Sequence, residues 1–322
     1  MKRKVIYIAF SDIQIEDWKQ FSIKHSRLEH NGNILQKIYS AAKIHKCPVL
    51  FGGDLYDNNN GLSNLVLNES FKWFNRFKKK GIKILAISGN HDQSEKNTLS
   101  NKSPSYIDMM ATIYSNFTCL DNAYLRENGY IVAGVPYYSS PDDFLKSLRV
   151  ISKNMEQHRE KKILLIHTHL PGASEPSGFK LDSDLPKNIY KELKQFDLVL
   201  SGHIHKPQEL SSNVINMGAT HHQRSSDTGC TMGYYLIYND LSTKFVPLNI
   251  PEFVYIKDEA EAKNDYDFYI LVEEAQEEGE GEEVSNNFKP NALPKTLAKE
   301  YLKAKNIKSK YKLKTLQKYL KL

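Results

Sequence analysis

Cysteine is scarce in this chain. There are three in 322 residues, Cys47, Cys119 and Cys230, far apart and with no CxxC pair. That spacing argues against a disulfide framework and a thiolate zinc site, and leaves the three as ordinary thiols. Tryptophan is scarcer still, and Trp18 and Trp73 read as packing anchors rather than as platforms for base stacking. No apolar run approaches the roughly 18–20 residues that a membrane span needs. The opening "MKRKVIYIAFSD" is basic, but its apolar run is too short and too soon acidic for a signal peptide, so the expected compartment is the cytoplasm. Nor does charge of one sign dominate, since 44 Lys and Arg stand against 38 Asp and Glu for a net charge of +6. With 40% hydrophobic residues the chain can bury a full core, and its length suits one large domain with an appendage.

Apolar runs of strand length alternate with helical patterns. "VIYIAF" at 5–10, "PVLFGG" at 48–53, "IKILAIS" at 82–88, "YIVAGV" at 130–135, "KILLIH" at 162–167 and "DLVLSG" at 197–202 predict strands. Between them, Ile34, Leu35, Ile38, Ala41 and Ala42 recur at helical spacing. Phe144, Leu148, Ile151 and Met155 do so again after Ser140 as N-cap and Pro141 at the first helical position. "NLVLNESFKWFNRFKKKG" makes a third helix, closed by Gly81. Near-continuous apolar strands separated by helices predict an α/β fold with covered sheet faces. After residue 210 the strands shorten to "NVINMG", "MGYYLIY" and "KFVPLNI", an expected antiparallel finish to the domain. The resulting division is a domain over 1–250, a short capping or edge segment over 251–272, an acidic linker over 273–288 and a basic helical tail over 289–322.

Polar residues fall on one strand end after another. Strand one ends in Asp12 with Gln14 two residues on, strand two in Asp54 and Asp57, and strand three in Asn90, His91 and Asp92. The later strands end in "HTH", His167 and His169, and in "SGHIH", His203 and His205. In an α/β sheet these ends are where polar ligands assemble. Carboxylate, amide and imidazole without thiolate suit a hydrolytic pair of divalent metals, with Asp54 placed to bridge them. Such a pair acidifies the solvent between its ions and neutralises charge developing on a phosphate. His91, held as an imidazolium by the Asp57 carboxylate, is then the candidate acid for the leaving oxygen.

"SDIQ", "GGDLYD", "GNHD", "LLIHTH" and "GHIHKP", in this order, resemble the calcineurin-like metallophosphoesterases, and within them the SbcD-type DNA repair exonucleases. The resemblance covers about residues 4–250 and implies a two-sheet α/β/β/α sandwich with a small C-terminal appendage. It assigns Asp12, Asp54 and His205 to one metal, and Asp54, Asn90, His167 and His203 to the other, with His91 catalytic; whether His167 or His169 is the ligand stays open. Position 14 departs from the family's DxH. Gln14 offers only a neutral amide, which implies a weakened first metal site with the amide or a water completing it. The resemblance further implies two divalent metals, manganese first, with magnesium, iron or zinc as alternatives. It implies DNA as substrate, an SbcC-type ATPase as partner, room for a homodimer, and a bacterial or phage-infected cytoplasm.

Each motif alone has a plainer reading: Asp12 as a turn residue, "GNHD" as a Gly-Asn turn, His167 as a core histidine. Five strand ends together outweigh these. His221 and His222 read as a surface pair outside the site, and Arg224 as a candidate substrate contact. The tail carries eleven lysines against one acid, Glu300, and two short amphipathic patterns suited to docking on a partner helix, and after that to DNA. Three functions compete: a DNA nuclease subunit, a stand-alone phosphatase or small phosphodiesterase, and a non-catalytic scaffold for which Gln14 is the sole support.

Overall fold

The computed structural model describes residues 3–17, 27–58, 61–95, 97–178, 182–256 and 268–271. The chain divides at Val272 into two units, Met1–Val272 and Glu273–Leu322. The acidic linker and basic tail expected from the sequence fall in the second unit and lie outside the described residues, as does Trp18.

The first unit is built strand by helix. β1 (Val5–Phe10) leads to α1 (Arg27–His45), β2 (Val49–Phe51), α2 (Asn64–Lys79), β3 (Ile84–Ala86), α3 (Tyr106–Ile113) and β4 (Phe117–Cys119). The chain then crosses to a second sheet through β5 (Ala123–Glu127), β6 (Tyr130–Val135), α4 (Pro141–Met155), β7 (Lys162–His167), α5 (Ile189–Leu193), β8 (Leu198–Gly202), β9 (Gln208–Ser211) and β10 (Val214–Asn216). β11 (Gly233–Tyr238) and β12 (Thr243–Pro247) return to the first sheet, whose order is β12-β11-β1-β2-β3-β4; the second runs β5-β6-β7-β8-β10-β9. β13 (Phe253–Ile256) and β14 (Phe268–Leu271) form a separate parallel pair.

Three apolar layers hold the sandwich. The inner faces of both sheets meet through Tyr7, Leu50, Leu85, Val132, Leu165, Leu200 and Ile237. Outside the first sheet, Ile34, Leu35 and Ile38 of α1 pack with Trp73, Phe74 and Phe77 of α2. Outside the second, Phe144, Leu148 and Ile151 of α4 pack on Ile131, Leu164 and Val199. The α/β/β/α order therefore follows from strands apolar on both faces and helices apolar on one. Ser140 caps α4 as expected, its hydroxyl accepting from the Asp143 amide, and Gly81 takes a positive φ of 63° just past the α2 cap.

Two expectations need amendment. The strands expected at 48–53 and 82–88 are shorter, at three residues each, because the chain leaves the ladder early to make the site loops. The finish after residue 210 is only partly antiparallel: β10 runs parallel to β8, while β11 and β12 are antiparallel.

Candidate metal centre

The loops leaving β1 and β2 are zipped together by backbone bonds. Asp12, Gln14 and Ile15 donate their amides to the carbonyls of Gly53, Asp54 and Leu55 at 2.9, 3.0 and 2.8 Å. This places Asp12 and Asp54 side by side, at a conformational cost. Asp12, Gln14, Asp54 and His203 all adopt positive φ, at 50°, 41°, 59° and 91°. Non-glycine residues rarely do so, and their gathering in one cleft marks a site where surrounding bonds enforce the geometry. Gly53 shows how close the approach is, since a Cβ there would lie 2.6 Å from the Gly89 amide nitrogen and 2.8 Å from His167 Nδ1.

Asp92 supplies much of the enforcement. Its buried carboxylate accepts the amides of Asp54 and Leu55, both at 2.8 Å, and of Gly89 at 2.9 Å. Burial, and next the Asp54 charge, push Asp92 up to about 8, against three N–H groups that favour the ionised form. In the sequence Asp92 is only another polar strand end; its role depends on a loop 38 residues away. Asp227 and Gln223 carry no sequence signal at all. Asp227 Oδ2 lies 3.2 Å from His205 Nδ1 and accepts the Gln223 and Arg224 amides, while Gln223 Nε2 donates to the Asp12 carbonyl.

The donors converge. Ligand atoms of the buried Asp12, Asp54 and His167 lie within 4.8 Å of one another. His167 Nδ1 faces the Gly52 carbonyl at 2.8 Å; a carbonyl only accepts, so Nδ1 carries a proton there and Nε2 points into the cleft. That Nε2 is 3.4 Å from Asp54 Oδ2 and 3.1 Å from Asn90 Oδ1, and Asn90 Oδ1 is 2.9 Å from His203 Nδ1. Acceptor atoms crowded in this way require protons or a cation between them. The charge balance shows the same pull. Burial alone would depress His167, yet Asp54 raises it to about 9; burial acts to raise Asp54, yet His167 and His91 bring it below the ordinary carboxylate range. Burial raises Asp12 also, and burial with His167 lowers His203 to about 3, keeping its imidazole neutral. Carboxylate, amide and imidazole facing one point fit a divalent cation, whose binding would release the proton from His167 Nε2.

The remaining sequence candidates fall around the same cleft of about 140 Å³, which Gln14, His91, His169, His205 and Arg224 help to line. Gln14 is buried with its amide nitrogen 3.5 Å from Asp54 Oδ2. His205 keeps Nε2 available because Nδ1 is engaged by Asp227. His167 stands among the converging donors, whereas His169 lies on the cleft wall. Arg224 is exposed at the mouth.

One expectation is extended and one corrected. His91 meets residue 57 through both of its groups: its Nδ1 lies 2.6 Å from the Asp57 carbonyl and 3.9 Å from the Asp57 carboxylate. The carbonyl only accepts, so the proton facing it sits on Nδ1 and Nε2 is left for the cleft. His221 and His222 are not a surface pair. Both are buried, and His222 links three segments, its Nε2 meeting the Cys230 carbonyl at 2.8 Å and its Nδ1 accepting the Phe253 amide at 3.2 Å. Two adjacent histidines give no local hint of burial, and Phe253 of β13, whose ring stacks on His222 with centroids 6.5 Å apart, lies 31 residues further on.

The chain belongs to the calcineurin-like phosphoesterase family, whose profile matches residues 7–207. Members of that family bind divalent metals, and Asp12, Asp54 and His167 are the candidate site here. Over 261 residues the chain is 26% identical to the SbcD component of the nuclease SbcCD from Staphylococcus saprophyticus, covering 73% of this chain and 68% of that protein. Among solved structures, a dimetal phosphatase from Danio rerio is similar with a TM-score of 0.49 and 10% identity, over 76% of this chain and 99% of that one. The nuclease MPE of Pseudomonas putida is similar with a TM-score of 0.33 and 14% identity, over 75% of this chain and 87% of that one. Among the described residues no helix is long and apolar enough to cross a membrane.

Proposed function

We propose that this phosphoesterase cleaves DNA phosphodiesters as the nuclease component of an SbcCD-like repair or recombination complex. The convergence of Asp12, Asp54, Asn90, His167 and His203 on one point carries the hydrolytic part of the reading. The likeness to the SbcD component of a nuclease supports the nucleic acid part. Two divalent metals, manganese first, would be held by Asp12, Gln14, Asp54 and His205 on one side and by Asp54, Asn90, His167 and His203 on the other. When bound, they supply an activated water and neutralise charge on the phosphate.

The chain's own groups do the rest. His91, with its proton fixed on Nδ1 by the Asp57 carbonyl, presents Nε2 to the cleft and protonates the leaving oxygen when charged. Its backbone amide donates to Asp54 Oδ1 at 2.8 Å, so the acid and the Asp54 carboxylate are positioned together. Arg224 at the mouth contacts a neighbouring phosphate. The Lys-rich segment 289–322 docks on the SbcC-type partner, its charge also favouring DNA.

The test sets linear duplex, circular single-stranded DNA and a nitrophenyl diester before the full chain with manganese or magnesium, beside Asp54→Asn. Metal-dependent DNA cleavage that disappears in Asp54→Asn, together with its bound metal, is the expected result. Activity confined to the nitrophenyl ester would replace the nuclease with a small phosphodiesterase.

A further inference from the structure

Beside the metal cleft lies a second, wider one of about 520 Å³, and the two flank the same three stretches of chain. Glu175 faces the metal cleft and Pro176 the second; His205 faces the first and Lys206 the second; Asp227 faces the first and Gly229 the second. A polymer whose phosphate sits at the metals therefore has an adjoining place for its next unit. From these neighbours we infer that the second cleft is a nucleobase subsite for the strand being cut, which rests on the nuclease reading above.

The floor is aromatic. Tyr235 of β11 and Phe245 of β12 are directly paired across the ladder, with ring centroids 5.2 Å apart and planes at 59°. Tyr235 is buried and backs the half-buried Phe245. Phe245 lies over Gly233, where an added Cβ would come within 2.7 Å of the ring. Every base has a π face, so a ring at this position binds bases with little regard to sequence. The walls combine Pro176 and Pro207 with the Lys206 ammonium and the Glu209 carboxylate, apolar surface with charges of both signs, which suits a base with its hydrogen-bonding edge better than a free anion. The volume is in the range of small-molecule sites, roughly 300–1,000 Å³.

The walls are also fixed in advance. Gln208 Oε1 accepts from the Ser174 amide at 3.0 Å and its Nε2 donates to the Ser174 carbonyl at 2.9 Å, which holds the loop carrying Glu175 and Pro176. Asn216 Nδ2 donates to the carbonyls of Ile204 and Lys206 at 2.6 and 2.8 Å. A base enters without loops having to be ordered first, which favours binding.

The experiment measures binding by the full chain in EDTA, using labelled single-stranded dT octamer and the same strand with abasic sites, by fluorescence anisotropy. Wild type should prefer the strand with bases about tenfold, as a base–aromatic stack implies. Phe245→Leu keeps an apolar side chain but loses the ring, and should reduce that preference to about twofold or less while the abasic strand binds as before. Lys206→Gln should weaken both strands alike and lower the salt slope by about one. Thermal unfolding of each variant separates loss of fold from loss of the ring. Equal binding of both strands by wild type, or a full base preference in Phe245→Leu, overturns the subsite. Manganese-dependent DNA cleavage by wild type, run in parallel, then shows whether the nuclease reading survives without it.

Discussion

The ends of the first sheet and the ends of the second meet at one cleft with different donors. β1, β2 and β3 bring Asp12, Asp54 and Asn90; β7 and β8 bring His167, His203 and His205. The two sides are also braced differently. On the first, Asp92 ties three amides from two loops and the carboxylates stand on backbone of positive φ. On the second, each of two imidazoles is oriented through its other ring nitrogen, by the Gly52 carbonyl for His167 and by Asp227 for His205. Bracing of the backbone sets where a carboxylate sits; bracing of a ring sets which nitrogen it offers. Neither sheet alone assembles the donor set, so the centre exists only where the two sheets are packed together.

His91 breaks the comparison most sharply, since it comes from the first sheet yet is assigned no metal. His91→Ala should lower turnover about 10²- to 10⁴-fold, the usual worth of a positioned acid, while calorimetry still finds the metals bound. Loss of metal in proportion to loss of turnover would make His91 part of the donor set.

The two braces should fail in different ways. Asp92→Asn puts an amide NH2 against at least one buried N–H, leaving donors without an acceptor. It should cost the metal-free protein about 2–4 kcal/mol in urea unfolding. Asp227→Asn touches one ring and two amides at the cleft edge. It should cost less stability but about 10- to 100-fold in affinity for the metal nearest His205, as for other groups that orient a ligand. Equal destabilisation by both would erase the distinction between bracing backbone and bracing ring.

Much of the centre is legible because a polar residue at the end of an apolar strand is a local signal: Asp12, Asp54, Asn90, His167, His203 and His205 all announce themselves so. The layers are legible too, since α1 and α4 carry one-sided apolar spacing, β1 and β6 are apolar throughout, and β7 and β8 are so except at their ends. What escapes depends on distant chain. Asp92 acts on a loop 38 residues away and Gln223 on Asp12 at a separation of 211. His221 and His222 are buried by segments their own neighbours do not reveal. α3, β4 and β5 are short or half-exposed, and their patterns stand out little from loop. Asp57 draws attention for its carboxylate, yet its carbonyl lies nearer to His91, at 2.6 Å against 3.9 Å, which no side-chain pattern encodes.

The smallest expected effect, and a direct probe of the uneven sides, comes from Gln14. It is buried at the first sheet's contribution to the cleft, where its amide meets Asp54 at 3.5 Å. Histidine tolerates the left-handed backbone at this position better than most residues, so the exchange adds little strain to the φ of 41° already present. An imidazole nitrogen is a better donor than an amide to manganese or zinc. Gln14→His should therefore lower the manganese needed for half-maximal hydrolysis about tenfold and tighten the weaker of two calorimetric binding steps, leaving the tighter step alone. An unchanged titration would place side chain 14 outside the coordination sphere and make its bond to Asp54 its whole contribution. A change in the tighter step instead would mean that the carboxylate side, not the imidazole side, holds the first ion to bind.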